Sequence, residues 1–165
     1  MDKIKQKTLT ISLILIILFA TFASSVAAAP VGTKESDVVK YAKSWIGVPN
    51  VHGGNSRTGI DCSHLVYQVY SKAGAKRIYF MKVPEIKKNK YYVITSSPRP
   101  GDLILWKKDV TKNGKKYYLA AHVGIFIGSG QFVHTSSDKR KVVIDSLSQS
   151  PYKDGQPYYV RWSRK

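Results

Sequence analysis

The sequence predicts an α+β domain in which helices come first and an antiparallel sheet follows. Before residue 75, apolar residues recur every three or four positions, as on one face of a helix. From residue 100 onward, short apolar runs are separated by the tight turn signals Asn113-Gly114 and Gly128-Ser129-Gly130. Turns that short leave no room for crossover helices, so neighbouring strands pair antiparallel, about five in all.

The first residues read as an address rather than as part of the fold. Lys3, Lys5 and Lys7 precede an uncharged stretch centred on Ile11 to Ala20, which ends in Ser24-Ser25-Val26-Ala27-Ala28-Ala29-Pro30. That order is the pattern of a secretory signal peptide cut after Ala27 or Ala28. Residues 1–28 are therefore expected to leave, and 29–165 to form a single domain, secreted or associated with the cell envelope. An uncleaved membrane anchor is the alternative, because the uncharged stretch is long enough to span a bilayer.

Ser36 is the expected N-cap of a first helix carrying Val38, Ala42 and Trp45 on one face and stopped at Gly47-Val48-Pro49. A glycine-rich loop, 53–59, leads to a second helix with Asp61 as N-cap and Gly74 as stop; Cys62, Leu65, Val66, Val69 and Tyr70 form its apolar stripe. Residues 76–98 read as irregular, with one helical turn near Pro84-Glu85-Ile86. Leu103–Trp106, a long strand from Tyr117 to Ile127, and strands at 131–135, 141–145 and 158–162 complete the sheet.

Composition narrows the chemistry. With 43% hydrophobic and 12% aromatic residues the chain buries a core and is not disordered. Without Lys3, Lys5, Lys7 and Asp2, the rest carries 24 basic and nine acidic residues, a net charge of +15. Such a surface attracts polyanions. For an exported chain these are anionic wall polymers or membrane headgroups, and nucleic acid is not the expected partner. No cofactor and no metal are expected, and the chain is expected to be monomeric.

There is one cysteine, so it has no intramolecular disulfide partner. Cys62 falls directly after the Asp61 cap, where free amides and the helix dipole favour a thiolate, and its own N–H is placed to donate to an oxyanion. A thiolate nucleophile needs a base and a group to orient that base. His122 interrupts the apolar strand, and His134 follows twelve residues later across a tight turn, so the two are expected as neighbours on adjacent strands. A Zn²⁺ site on Cys62, His122 and His134 is a rival reading, against which stand the missing fourth ligand and the helix-start location.

Together, Asp61-Cys62-Ser63-His64-Leu65-Val66, Arg99-Pro100-Gly101-Asp102-Leu103, His122-Val123-Gly124-Ile125-Phe126-Ile127-Gly128 and Val133-His134 resemble the NlpC family of papain-like cysteine peptidases, in order and spacing, over residues 36–147. The resemblance implies a papain-like fold with the cysteine helix packed on the sheet. It implies Cys62 as nucleophile, His122 as base and acid, and His134 as orienter. It further implies that Asp61 and Ser63 hold the amino end of a peptidoglycan stem peptide, cut at the γ-D-glutamyl bond to a diamino acid through a thioester. Asn50 and His52 stand where the family usually has tyrosine and tryptophan beside the substrate, and His64 replaces a common glycine. The alternatives are an amidase or acyltransferase acting on another substrate, and a catalytically silent basic surface-binding protein.

Overall fold

Asp61, extended at φ −98° and ψ 173°, turns the chain into the helix around which the protein is arranged. The computed structural model describes residues 35–76 and 78–163, all within one compact unit. The predicted signal segment, with its cleavage site or membrane anchor, lies outside the described residues.

Helix α1 spans Glu35–Lys43 and α2 spans Cys62–Lys72, separated by the short strands β1 (Asn55–Ser56) and β2 (Gly59–Ile60). Ser36 lies inside α1 rather than before it, because Glu35 is already helical. Trp45 lies beyond the last helical residue yet stays buried, with the Arg57 guanidinium 3.7 Å from its ring centroid. Gly74, at φ +80°, lets the chain leave α2 in a left-handed turn that costs other residues strain. The expected helical turn at Pro84 is α3, Val83–Lys88.

Six antiparallel strands form the main sheet in the order β3-β10-β4-β7-β8-β9: β3 Tyr92–Thr95, β4 Leu103–Trp106, β7 Val123–Gly128, β8 Gln131–Ser136, β9 Lys141–Ser146 and β10 Pro157–Trp162. The sixth strand, β3, falls in the stretch the sequence left irregular. It shows no apolar alternation, since Val93 and Ile94 are both exposed. Its pairing with β10 sets Tyr92 against Trp162, seventy residues away, a contact no local pattern records.

The predicted long strand from 117 to 127 is broken in two. Asn113 and Gly114, at φ +48° and +74°, close a separate hairpin of β5 (Val110–Lys112) and β6 (Lys115–Tyr117) outside the main sheet. A single 3₁₀ turn, Leu119–Ala121, then precedes β7. Lys87 and Asp109 hold this turn from opposite sides of one residue: Asp109 Oδ1 accepts from Ala120 N at 2.9 Å, and Lys87 Nζ donates to Ala120 O at 2.6 Å. His122 therefore stands at the mouth of β7, not inside a continuous strand.

β4 is apolar throughout because both faces of the sheet are covered. Leu103 and Leu105 join Leu65, Val66 and Val69 of α2 in the main core, while Ile104 and Trp106 face a second cluster with Leu119, Phe126 and Phe132. Buried Asp102 fastens β4 to β10, accepting from Arg161 Nε and Nη2 at 2.8 Å each and from Arg99 N at 2.7 Å. Replacing Asp102 with alanine strands that guanidinium and should cost about 2–3 kcal/mol, read as a lower urea midpoint at unchanged slope.

Candidate active site

The Asp61 carboxylate is fully engaged by its own cap. Oδ1 accepts from His64 N at 2.8 Å and Ser63 Oγ at 3.0 Å, and Oδ2 accepts from Gly53 N at 3.1 Å. Burial alone would raise its pKa; the hydrogen bonds from His64 and Ser63 outweigh that and hold it below the usual carboxylate value. This cap makes Cys62 the first residue of α2, beside the start of β7.

The helix start does not produce the thiolate expected from the dipole. Burial of the sulfur is the largest influence, and the Asp61 charge adds to it, so the thiol is pushed up to about 11. The N–H groups of Val123, Ser63 and Cys62 pull the other way and lose. Helix-end amides contribute on the order of 1 kcal/mol, less than stripping water from a thiolate costs.

His122 is likewise held neutral: burial, then the neighbouring His134, lowers its pKa to about 3. Its Nε2 lies 2.9 Å from His134 Nδ1, and His134 Nε2 lies 3.0 Å from Asp145 Oδ2. The carboxylate sets the direction of this chain. Asp145 can only accept, so His134 carries its proton on Nε2 and offers Nδ1 as acceptor. His122 must then donate from Nε2, which leaves its Nδ1 lone pair free. Asp145 also accepts from Lys139 Nζ at 2.5 Å and Tyr152 OH at 3.1 Å. Although burial would raise its pKa, bonds from His134 and Lys139 bring it down to about 2. Both nitrogens of His134 are engaged in this way, and among the described residues no three of His, Cys, Asp or Glu are grouped to hold a metal ion.

Cys62, His122, His134, Asp61, Asn50 and His52 line one pocket of about 290 Å³, whose lining also includes Lys116, Tyr117 and Tyr118. A second recess of about 390 Å³ shares Cys62, Asp61 and His52 and adds Ser63, His64 and Phe80. His64 stacks on Phe80, centroids 4.0 Å apart, with its Nδ1 3.0 Å from Asp61 Oδ2 but out of line for a hydrogen bond. All seven predicted site residues thus border these two spaces. Sequence reasoning missed Asp145 and Tyr152 behind His134, and Lys87 and Asp109 behind the turn bearing His122. Asp145 was readable only as a charge closing the apolar run Val142-Val143-Ile144; its partner was not.

The NlpC/P60 family model matches residues 47–161. Murein DD-endopeptidase MepH of Escherichia coli K12 is 30% identical over 122 residues, 70% of this chain and 40% of that protein. Gamma-DL-glutamyl hydrolase of Bacillus subtilis 168 is 33% identical over 136 residues, 79% of this chain and 30% of that protein. The chain therefore spans less than half the length of these two relatives. Among solved structures, an NlpC/P60 family protein from Bacillus cereus superposes with a TM-score of 0.61 at 26% identity, covering 79% of this chain and 41% of the other. RipD of Mycobacterium tuberculosis, described as a non-catalytic NlpC/p60 domain, shares the fold at TM-score 0.55 and 22% identity, covering 77% of this chain and 95% of the other.

Acid should unfold the protein through these same groups. The unfolded chain protonates its histidines near 6.5, whereas folded His122 resists until about 3, so stability falls as pH drops between those values. Asp145 adds a further loss as pH falls below about 4 toward 2. Urea unfolding at pH 7 and pH 4 should differ by roughly 2–4 kcal/mol, with a smaller difference in His122→Ala.

Proposed function

The chain belongs to the NlpC/P60 family, and from that premise we propose that it is an exported cysteine endopeptidase cutting peptidoglycan stem peptides at the γ-D-glutamyl bond to a diamino acid. One observation carries the reading. The thiol at the start of α2 and a histidine–histidine–carboxylate chain end on the same pocket, with one imidazole lone pair left unspent.

The Cys62 sulfur attacks the amide carbonyl while His122 Nδ1 takes the thiol proton. The Cys62 N–H, at the helix start, donates to the oxyanion. The imidazolium then gives its proton to the leaving amine as the C–N bond breaks, and a thioester remains. Water, deprotonated by His122, hydrolyses it and restores the thiol. Burial keeps both partners neutral at rest, so charge develops only as the proton moves, and each new ion faces its counter-ion. His134, fixed by Asp145, holds the tautomer with Nδ1 free and supports the imidazolium as it forms.

Support for a wall peptide comes from a relative named as a murein DD-endopeptidase, and support for the γ-glutamyl bond from one named as a gamma-DL-glutamyl hydrolase. The fold alone does not decide for catalysis, since RipD shares it. What favours an enzyme here is the intact His122–His134–Asp145 chain on the same pocket as Cys62.

Digestion of muropeptides, read by mass spectrometry, tests the reading, because cleavage at the γ-D-glutamyl bond and at a DD cross-link leave products of different mass. Cys62→Ala and His122→Ala should lose at least about 10³-fold in turnover, and His134→Ala should retain more than His122→Ala. Lys87→Met, which touches neither the sulfur nor the ring, should lower kcat by roughly tenfold at unchanged KM. Product from both wild type and Cys62→Ala, or from neither, overturns the proposal.

The signal-like pattern of residues 1–28 supports the reading that the reaction takes place outside the cell. Intact mass of the protein recovered from a secreting host should correspond to a chain beginning at Ala28 or Ala29; an unprocessed chain overturns cleavage and leaves the membrane-anchor alternative.

A further inference from the structure

The segment from Lys107 to Lys116 carries five lysines and one aspartate, and every one of those lysines is exposed. It comprises the β5–β6 hairpin and its approach from β4. The hairpin is rigidly rooted: Val110 and Tyr117 pack on the second core cluster, and Gly155 O accepts from Lys107 N at 3.1 Å and Lys108 N at 3.3 Å. Lys115 is paired with Asp138, and Lys116 lies 3.8 Å from Asp109. Among the described residues, no carboxylate lies in ion-pair reach of Lys107, Lys108 or Lys112; Lys112 Nζ meets only Ser150 O, at 3.4 Å. Three ammonium groups are thus held on a fixed element without neutralising partners.

The place of this hairpin matters more than its charge. Its second strand and the residue after it, through Lys116, Tyr117 and Tyr118, form a wall of the pocket that holds Cys62 and His122. A polymer seated in that pocket and leaving along this wall passes onto the hairpin. We propose that Lys107, Lys108 and Lys112 dock the acidic polymer strand that bears the scissile peptide, through carboxylates on segments that the chemistry does not touch. This rests on the peptidase reading of the pocket and extends it from a peptide to a polymeric substrate.

A lipid surface fits less well. The exposed residues of the hairpin, Thr111 to Lys116, include no apolar side chain to enter a bilayer, and Val110 is spent on the core. Docking beside the pocket raises the local concentration of scissile bonds, so it lowers KM on the polymer and leaves a free muropeptide unaffected. Because the contact is exposed, salt weakens it.

Sedimentation of the full Cys62→Ala chain with insoluble wall reads docking without turnover. Adding Lys107→Gln, Lys108→Gln and Lys112→Gln together should weaken binding roughly tenfold at low ionic strength, with little effect at high salt. Removing the same charge from the helices, by Lys40→Gln, Lys43→Gln and Lys72→Gln, should leave binding near that of Cys62→Ala. Wall stripped of phosphodiester polymers should bind equally well. In the Cys62-intact chain, the hairpin triple variant should raise KM on wall and leave kcat/KM on a soluble muropeptide unchanged.

Equal weakening by the helix triple would overturn the proposal in favour of general charge. Loss of binding on stripping would assign the hairpin to a phosphate polymer instead. Equal loss on wall and on soluble peptide would make it part of the pocket. A wild type that binds wall through the hairpin yet cleaves no muropeptide would sink the peptidase reading and leave the docking strip standing.

Discussion

Everything in the site follows from where helix α2 begins, and one side chain decides that. Asp61 accepts from the His64 and Gly53 amides and the Ser63 hydroxyl, so the chain cannot continue the helix backward past Cys62. With the start fixed, the helical period turns Leu65, Val66 and Val69 onto the sheet. The same start brings the Cys62 sulfur against Val123 at the head of β7. A cap is commonly worth about 1 kcal/mol to a helix. Here it also sets the register between the thiol and a strand sixty residues further on.

Desolvation then governs the chemistry proposed for the site. The helix dipole was the obvious reason to expect an ionised cysteine, and it is the weaker force. Taking the sulfur out of water, with a carboxylate next to it, raises the thiol to about 11; burial lowers His122 to about 3. A neutral pair at rest places the whole burden of stabilising charge on the moment of transfer. The relay from buried His122 through His134 to Asp145 is suited to that burden, because hydrogen bonds in a low-dielectric setting respond strongly to a new charge. Lys139 and Tyr152 hold the far end, so Asp145 stays ionised and His134 keeps its tautomer.

The break before His122 shows how tertiary contacts override a local pattern. Tyr117 to Ile127 has the composition of one strand, yet Lys87 from α3 and Asp109 from the approach to the hairpin grip the Ala120 peptide from both ends. Extended, that residue would leave its N–H and C=O to find other partners. As a 3₁₀ turn it satisfies them, sends the β5–β6 hairpin away from the main sheet and points the chain into β7 with His122 at its mouth.

By itself the sequence determined the class, most element positions and the three residues on which the chemistry is proposed to run. Each of these is written locally: a capping aspartate, a 3.6-residue stripe, a tight turn between two histidines, and an ordered set of motifs. Strand β3, the Lys87–Asp109 grip and the carboxylate behind His134 were decided only in the tertiary structure. Each joins residues from 11 to about 70 positions apart, and their pairing depends on which surfaces the core brings together. The protonation states belong to the same class. A sequence shows which groups titrate, but burial and neighbours decide how far, and both are properties of the folded chain.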